Sequence, residues 1–450
     1  MSFDRVLANI WNSLFRAERR PGLKLGFALR DGEISRYQIA IPDWRRSEHI
    51  AIVGKTGTGK SSLLKFFMSQ DIRNDRGFVC IDLHGDLIPF ILSRIAEQES
   101  RTERALSKRL LIIDPADPKY AVGLNLIECT NSASRPVQIS EMVTLLRQRW
   151  SLDHFGARTE ELLRNALWVL SQNALTLLEM TPLLTDSNYR ELLLRRCTNE
   201  EVRRYFAERY NRSSQAMQAV IREAVLNKVT AFTVDSGIRH IVGQQHSSFS
   251  LRSGIDQGSW ILLDLRKGRL GDNALTFAGL FLSKLRTAIF GRSKRNLFTV
   301  YADELPNLVS AGDGFETLLS ESRKFAVSIV SANQFLNQFS PAMKSALFSV
   351  GTILSFQLSS EDAPFVAKAF DGERSLIRRL ITLPHRRLIG KFGERTQEVS
   401  VPNVQSDPVP TAGLLERSLT LYAKTREQVE SEINARRPTR TDRIALEDWD

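Results

Sequence analysis

A short glycine- and lysine-containing stretch has the residue types and spacing of a phosphate-binding loop. Within "HIAIVGKTGTGKSSLLKFF" (49–67), Gly54, Gly59, Lys60 and Ser61 fit the pattern G-x-x-x-x-G-K-[ST]. In such a loop, backbone N–H groups curl around phosphates, the lysine neutralises them, and the hydroxyl is a ligand for Mg²⁺. The apolar run before the loop suits a buried strand and the run after it a helix, whose N-terminus favours anions. The expected nucleotide-binding residues are Gly54, Lys55, Thr56, Gly57, Thr58, Gly59, Lys60, Ser61 and Ser62.

Carboxylates at strand ends are the next residues with chemical potential. Apolar runs end at Asp82, Asp114, Asp264 and Asp303, but only Asp303 is followed directly by a second acid, Glu304. A nucleotide site needs an acid for Mg²⁺, and hydrolysis usually needs a second group to orient or deprotonate water. Adjacent side chains at a strand end point in different directions, so one can serve the metal and the other the water. The single carboxylates are more simply explained as turn formers.

An arginine and a glutamine follow the acidic pair. Arg323 precedes the apolar run "AVSIVSANQ" (326–334), and Gln334 ends it. Taken alone, Arg323 is most simply a solvated charge and Gln334 a turn or surface residue. Beside a phosphate-binding loop and an Asp-Glu pair, a glutamine at the tip of a neighbouring strand can sense the γ-phosphate or its attacking water.

The apolar runs predict an α/β fold with a mostly parallel central sheet. Helical stretches separate the runs, as helices on both faces of a parallel sheet require. These runs are "GFVCID" (77–82), "LLIID" (110–114), "WILLDL" (260–265), "FTVYADE" (298–304), "AVSIVSANQ" and "GTILSFQ" (351–357). The segment from about 136 to 240 is helical in pattern, which predicts an all-α domain inserted into the core.

These patterns divide the chain into five parts. They are an N-terminal amphipathic arm and lead-in (1–45), the first part of the core (46–135), the inserted all-α domain (136–240), the second part of the core (241–400), and a linker with a C-terminal helix and charged tail (401–450). The arm, residues 1–20, has one apolar helical face. It is most simply a packing element against this subunit or a neighbour, and a membrane-surface anchor is the alternative.

Composition narrows the function classes. The formal net charge of +11 suits an anionic partner such as nucleic acid, although a basic balance can also serve solubility alone. Three cysteines and six histidines are scattered, so a zinc or disulfide framework is not expected, and the expected metal is Mg²⁺ carried with nucleotide. No run is apolar enough for a membrane helix and no secretory signal is recognisable, so we expect a cytoplasmic protein.

The motifs together resemble the HerA/FtsK superfamily of RecA-like hexameric ATPases, and within it the TraD/TraG-type coupling proteins of conjugation and type IV secretion. The resemblance covers about residues 48–360. The stretches that carry it are "GKTGTGKSS", "IDLHGDL", "LIIDPADPKYAVGLNLIE", "RTEELLRNALWVL", "VYADELPNL" and "LLSESRKFAVSIVSANQFLNQ". The phosphate-binding loop is common to many ATPases, whereas the Asp-Glu, Arg-Lys and terminal Gln at these separations are more specific.

The resemblance implies a RecA-like P-loop NTPase core and a role for each motif residue. Lys60 and Ser61 would bind ATP and Mg²⁺, and Asp303 would support the metal. Glu304 would be the catalytic base and Gln334 the sensor.

Arg323 would be an arginine finger inserted into the neighbouring subunit's site. The implied assembly is therefore a homo-oligomer, expected to be a hexamer.

The function expected from these residues is an ATP-driven DNA translocase that threads DNA through a basic channel. A different class remains open: a HerA-type ring that acts as scaffold or regulator of a partner nuclease or effector in antiphage defence. A protein-translocating secretion ATPase is a third alternative. The protein partner would be a relaxosome or secretion component in the first case and a defence effector in the second.

Two features depart from the family pattern. Coupling proteins usually carry N-terminal membrane helices, and HerA proteins usually carry a small β-barrel before the loop. The first 50 residues here contain neither a membrane helix nor room for a full barrel. Peripheral attachment at the inner membrane therefore stays open beside the cytoplasmic expectation.

Overall fold

A computed structural model of the chain describes residues 22–30, 32–129, 131–149, 156–309, 315–404 and 409–437. The predicted amphipathic arm, residues 1–20, lies outside the described residues. Within the described part, no helix is both long enough and apolar enough to cross a membrane.

A single large sheet organises the fold. Its eleven strands lie in the order β2-β1-β12-β11-β10-β3-β9-β8-β4-β7-β5, and β6 and β13 form a separate two-stranded sheet. The strands are β1 (Gly22–Arg30), β2 (Glu33–Pro42), β3 (Ile50–Val53), β4 (Phe78–Asp82), β5 (Leu110–Ile113), β6 (Tyr120–Val122), β7 (Trp260–Asp264), β8 (Phe298–Asp303), β9 (Val327–Asn333), β10 (Thr352–Ser355), β11 (Arg387–Phe392), β12 (Arg395–Ser400) and β13 (Ala423–Thr425).

The predicted parallel core is confirmed. All neighbouring pairs from β10 through β3, β9, β8, β4 and β7 to β5 are parallel. These strands are near-continuous apolar runs because helices cover both faces of the sheet. In β8, for example, Val300 packs into the core on one face and Tyr301 into the core on the other. The fold is therefore of the α/β class with a mostly parallel central sheet, as predicted.

The sheet continues beyond β10 as four antiparallel strands that the apolar pattern does not predict. β11 pairs with β10 and β12, and β1 pairs with β12 and β2. Residues 22–42, predicted only as a lead-in, are thus an edge hairpin of the main sheet. The pairing that attaches this hairpin joins Phe27 to Ser400. Because these residues are far apart in the chain, local sequence patterns do not predict the pairing.

Twenty helices surround the sheets in the described part of the chain. They are α1 (Asp43–Arg46), α2 (Lys60–Arg73), α3 (Ile88–Thr102), α4 (Arg135–Arg149), α5 (Ala157–Gln172), α6 (Met180–Thr185), α7 (Ser187–Arg195), α8 (Glu200–Arg204), α9 (Gln215–Thr233), α10 (Ser236–Val242), α11 (Leu251–Gln257), α12 (Lys267–Leu270), α13 (Asp272–Phe290), α14 (Leu305–Val309), α15 (Phe315–Glu321), α16 (Pro341–Phe348), α17 (Asp362–Ala369), α18 (Arg374–Ile381), α19 (Ala412–Tyr422) and α20 (Arg426–Ala435).

Two apolar cores lie on opposite faces of the sheet. On one face, α2 and α3 bury Phe67 and Ile91 against Tyr301 and Leu354. On the other face, α5 and α13 contribute to a larger core that includes Phe281 and reaches the sheet. In the described residues between β6 and β7, every regular element is helical. The division of the chain into five parts stays a prediction, with the boundaries given above.

Candidate active site at the carboxyl edge of the sheet

Three neighbouring strands bring the predicted site residues to one edge of the sheet. The phosphate-binding loop follows β3, Gln334 follows β9, and Asp303 and Glu304 stand at the end of β8. The strands lie in the order β3-β9-β8 and are parallel, so their carboxyl ends meet at the same edge. Ligands of open α/β sheets bind at this edge. The glutamine thus lies between the loop and the acidic pair.

Backbone contacts to neighbouring strands fix the loop in place. The Gly54 N–H donates to the carbonyl of Asn333 (3.1 Å), and the Lys55 N–H donates to the carbonyl of Gln357 (2.8 Å). Gly57 and Gly59 have φ angles of 75° and 122°, a region that side-chain-bearing residues rarely adopt. The glycines therefore permit the loop geometry that the motif predicts.

The loop lysine is buried and bends back over the loop. Its Nζ donates to the carbonyls of Gly54 (2.6 Å) and Lys55 (2.8 Å). Burial lowers the pKa of Lys60, while the nearby carboxylates of Asp303 and Glu304 oppose that shift. A buried ammonium needs anionic partners or hydrogen-bond acceptors, and phosphate oxygens would supply both at this position.

The helix that begins at Lys60 presents its N-terminus to the same place. The residue before it, Gly59, has no side chain with which to cap α2, so the first N–H groups of the helix are left for another acceptor. Ser61 in the first turn is exposed, and Ser62 is half-buried. The loop, the lysine and the helix end together suit an anion with several oxygens.

The two adjacent carboxylates have different surroundings. Asp303 is buried, and this burial, assisted by the charge of Glu304, raises its pKa to about 6. Glu304 has a φ of 55°, and its N–H donates to Oδ1 of Asp303 (3.2 Å). A non-glycine residue in this backbone region is strained, and such strain is often found at functional sites. The turn directs the two carboxylates differently, as the strand-end argument predicts.

Among the described residues, the side chains of Gln334 and His84 contact the carboxylate of Glu304. Nε2 of Gln334 donates to its Oε1 at 2.5 Å, and Nε2 of His84 lies 3.0 Å from its Oε2. The amide oxygen of Gln334 in turn accepts a hydrogen bond from Oγ1 of Thr56 (2.9 Å). Gln334 therefore links the phosphate-binding loop directly to Glu304.

Sequence reasoning did not single out His84 as a site residue. Its imidazole reaches the site because β4 lies next to β8, and the turn after Asp82 carries it. The one available signal was its place in "IDLHGDL", a stretch that carries the family resemblance.

Asp82 and Asp114 have the turn-forming role expected of the single strand-end aspartates, whereas Asp264 pairs with the side chain of Arg266. The Asp82 carboxylate accepts backbone hydrogen bonds from the N–H groups of the turn and helix after β4, at residues 84, 85, 87 and 88. Asp114 accepts from the N–H of Ala116, and Arg266 bridges Asp114 and Asp264. Of the strand-end carboxylates considered, Asp303 and Glu304 are the pair that lies beside the loop.

Arg323 is not part of this cluster within the same chain. It lies in a short 3₁₀ turn at the amino end of β9, where its guanidinium is largely exposed and pairs with Glu48 at 3.2 Å. The seven residues of β9 separate it from Gln334. At ~3.3 Å per residue that strand alone spans about 20 Å, so Arg323 cannot reach the loop of its own chain.

The residues present fit Mg²⁺ with a nucleotide. A serine hydroxyl and a carboxylate are hard oxygen donors of the kind that Mg²⁺ takes from proteins, together with phosphates. Ser61 and Asp303 are the two residues that would hold the metal. The raised pKa of Asp303 reflects a buried carboxylate that a nearby cation would keep ionised.

Comparison with known proteins gives a family match for part of the chain. Residues 25–243 match the family model described as the central domain of helicase HerA. No curated protein matches the chain in sequence.

Solved structures of the coupling protein TrwB share the fold. The plasmid coupling protein TrwB in complex with ADP and Mg²⁺ is 16% identical, with 89% of this chain and 94% of that chain covered and a TM-score of 0.58. The unbound form of TrwB, a bacterial conjugative coupling protein, gives a TM-score of 0.57 at the same identity, covering 89% of this chain and 93% of that one.

VirB4 of Thermoanaerobacter pseudethanolicus is 15% identical, with 86% of this chain and 97% of that chain covered and a TM-score of 0.54. At such identities these likenesses establish the fold. The HerA central-domain match over residues 25–243 and the fold shared with TrwB and VirB4 support the resemblance to HerA/FtsK-type ATPases that the sequence motifs carry.

Proposed function

We propose that this protein is a Mg²⁺-dependent ATPase that moves DNA, with ATP hydrolysed at the interfaces of a homohexameric ring. The observation that carries the hydrolytic part is the hydrogen-bonded chain from Thr56 through Gln334 to Glu304. It joins the loop that would hold the phosphates to the one carboxylate left over after metal binding. Such a link gives the site a way to sense whether a γ-phosphate is present.

Each residue would have a separate part in the reaction. Lys60 neutralises the phosphates, and the bound Mg²⁺ would offset charge on their oxygens. Glu304 accepts the proton of the attacking water, while Gln334 holds that carboxylate in position and orients the water. His84 keeps the second oxygen of Glu304 in place.

Arg323 would complete the site of a neighbouring subunit. Because Arg323 is too far from the phosphate-binding loop of its own chain, its catalytic role would be in trans, at the site of a neighbouring subunit. A head-to-tail interface that repeats around an axis closes into a ring, which places one active site at every interface. The exposed guanidinium of Arg323 is accessible for such a contact.

The partner that we propose is DNA, held mainly through its phosphates. The net charge of +11 favours a polyanion, and TrwB is described as a plasmid coupling protein. A protein partner accompanies this proposal, because a coupling role requires a component to which the motor delivers its DNA. The proposed location is the cytoplasm, with peripheral attachment at the inner membrane as the alternative.

Two substitutions test the hydrolytic site. Lys60→Ala should abolish or strongly weaken Mg·ATP binding, because it removes the buried charge at the phosphates. Glu304→Gln should bind Mg·ATP like the wild type and lose about 10² or more in turnover, the scale of general-base catalysis. Lys65→Ala, one turn further along α2, is the matched control and should change neither quantity. Normal turnover in Glu304→Gln would refute the assignment of the base.

A further inference from the structure

Arg386 lies directly against the phosphate-binding loop, although it belongs to no recognised motif. It stands in the turn before β11, and its N–H donates to the carbonyl of Thr58 (2.9 Å). A Cβ placed on Gly59 would lie 3.3 Å from Cγ of Arg386 and 3.4 Å from its Cα. The side chain of Arg386 therefore starts beside Gly59, the last glycine of the loop, which directly precedes Lys60.

The backbone of Arg386 is strained and held on both sides. Its φ is 58°, in the left-handed region that disfavours residues with a side chain. Its N–H bonds to the loop, and its carbonyl accepts from the N–H of Val401 (2.9 Å). A glycine would adopt this conformation without strain, so the arginine side chain is present here at a conformational cost.

The guanidinium of Arg386 has no hydrogen-bond or ion-pair partner in the described part of the chain, and the residue is half-buried. Its neighbour Arg387 differs, because Nη1 of Arg387 donates to the carbonyl of Gly32 (3.3 Å). A guanidinium has five donors in a fixed fork that matches phosphate oxygens. An unpaired guanidinium on a side chain that starts beside a phosphate-binding loop is suited to an anion.

We propose that Arg386 is a nucleotide-binding residue that contacts the phosphates of the nucleotide held by the loop of its own subunit. The inference rests on the proposed function, since it assigns a further residue to the same site. In this arrangement the phosphates receive one positive charge from Lys60, at the start of α2, and a second from Arg386, in the turn before β11. Arg323 of a neighbouring subunit would be separate from both.

The alternative is that Arg386 serves only to shape the turn, and two substitutions separate these roles. Arg386→Gln removes the charge and keeps the strained backbone, whereas Arg386→Gly removes the charge and relieves the strain. If phosphate contact is its role, both variants should bind Mg·ATP about tenfold or more weakly, the usual effect of losing a hydrogen bond to a charged group. Arg386→Gly should at the same time melt at the wild-type temperature or above it.

Binding of a fluorescent ATP analogue with Mg²⁺, and its displacement by inorganic tripolyphosphate, measure the contact directly. The inhibition constant of tripolyphosphate should rise in both variants by a factor similar to that for Mg·ATP, and Arg386→Lys should recover part of the loss. Arg387→Ala is the control and should bind like the wild type. Unchanged Mg·ATP affinity in Arg386→Gly would overturn the proposal, as would weaker ATP binding with unchanged tripolyphosphate displacement.

The outcome is distinguishable from a failure of the proposed function. If the wild-type protein does not bind Mg·ATP, or if Lys60→Ala binds it equally well, the nucleotide site itself is wrong. If the wild type binds, Lys60→Ala does not, and Arg386→Gly binds normally, only the role of Arg386 is refuted.

Discussion

Asp303 and Glu304 are adjacent in sequence and differ in what surrounds them. Asp303 ends a buried strand, and burial raises its pKa to about 6. Glu304 turns away with a positive φ and is held by Gln334 and His84. Two carboxylates whose environments differ can take different tasks, and the tasks that we propose here are metal binding for Asp303 and activation of water for Glu304.

The raised pKa of Asp303 predicts how the nucleotide-free protein responds to pH. The folded state binds this proton more tightly than the unfolded state, whose carboxyl has the ordinary value of 3.8. The resulting contribution to stability is fully present below the ordinary value and is lost as pH rises through about 6. The melting temperature of the wild type, relative to that of Asp303→Asn, should therefore fall between about pH 5 and about pH 7.5. Thermal melts of both proteins in the absence of Mg²⁺ measure the difference in melting temperature. If that difference does not change with pH, the raised pKa of Asp303 is wrong.

Most site residues could be predicted because their spacing follows from sheet geometry. An apolar run that ends in Asp-Glu and another that ends in Gln must meet the loop if the strands are parallel neighbours. His84 and Arg386 could not be found in this way. Each reaches the site through a turn whose position depends on strand order and on contacts between distant segments, such as the one from Arg386 to Thr58.

A buried ion pair connects the helix after the loop to the strand that carries the acidic pair. Nη1 and Nη2 of Arg46 donate to Oδ1 and Oδ2 of Asp71 in α2, each at 2.7 Å. The hydroxyl of Tyr301 in β8 donates to the same carboxylate at 2.6 Å. Both charged side chains are fully buried. This cluster fixes α2 relative to β8 and so helps to fix the loop relative to Asp303.

Removal of one partner of the Arg46–Asp71 ion pair should markedly lower the free energy of unfolding. Asp71→Ala leaves the Arg46 guanidinium buried without its carboxylate, which typically costs about 3–5 kcal/mol in the free energy of unfolding. The double variant Arg46→Met/Asp71→Leu should recover much of that loss, because it removes both charges. Asp75→Ala, which breaks exposed ion pairs, is the control and should cost about 1 kcal/mol or less. Denaturant unfolding measures all three, and an equal effect of Asp71→Ala and Asp75→Ala would contradict this account.

The elements differ in how visible they are in the sequence. The parallel strands are short apolar runs, most of which end in an acidic or polar residue, so the length and composition of the runs reveal them. β2 is largely exposed and β12 reads "RTQEVS", so neither has an apolar run to recognise. Their place in the sheet depends on pairing between residues near 27 and residues near 400, which local patterns do not encode.

At the scale of the whole molecule, the position of Arg323 predicts complementation between subunits. A site with Glu304→Gln and a site with Arg323→Ala are both defective, but a mixed ring contains some interfaces with an intact base and an intact finger. A finger contributes roughly 10³–10⁵ in rate, so a few restored interfaces should raise turnover above that of either parent.

Mixing Glu304→Gln with Lys60→Ala is the matched control for this experiment. Both changes lie in the same chain's part of the site, so no interface in that mixture is intact and turnover should stay low. ATP turnover of purified mixtures, with co-assembly verified, gives the result. Mixtures of Arg323→Ala and Glu304→Gln that remain no more active than the parents would count against the role in trans.

The most direct test of a DNA motor is ATP turnover of the assembled wild-type protein with and without DNA, at two salt concentrations. We predict that DNA raises turnover, because it would bias subunit interfaces towards the arrangement that hydrolyses ATP. DNA affinity should be largely independent of sequence and fall with salt, with a log–log slope of about −0.9 per phosphate neutralised on duplex and about −0.7 on single strands. Turnover that is indifferent to DNA in the assembled ring, and that rises instead with a partner protein, would contradict the motor and favour a regulated scaffold.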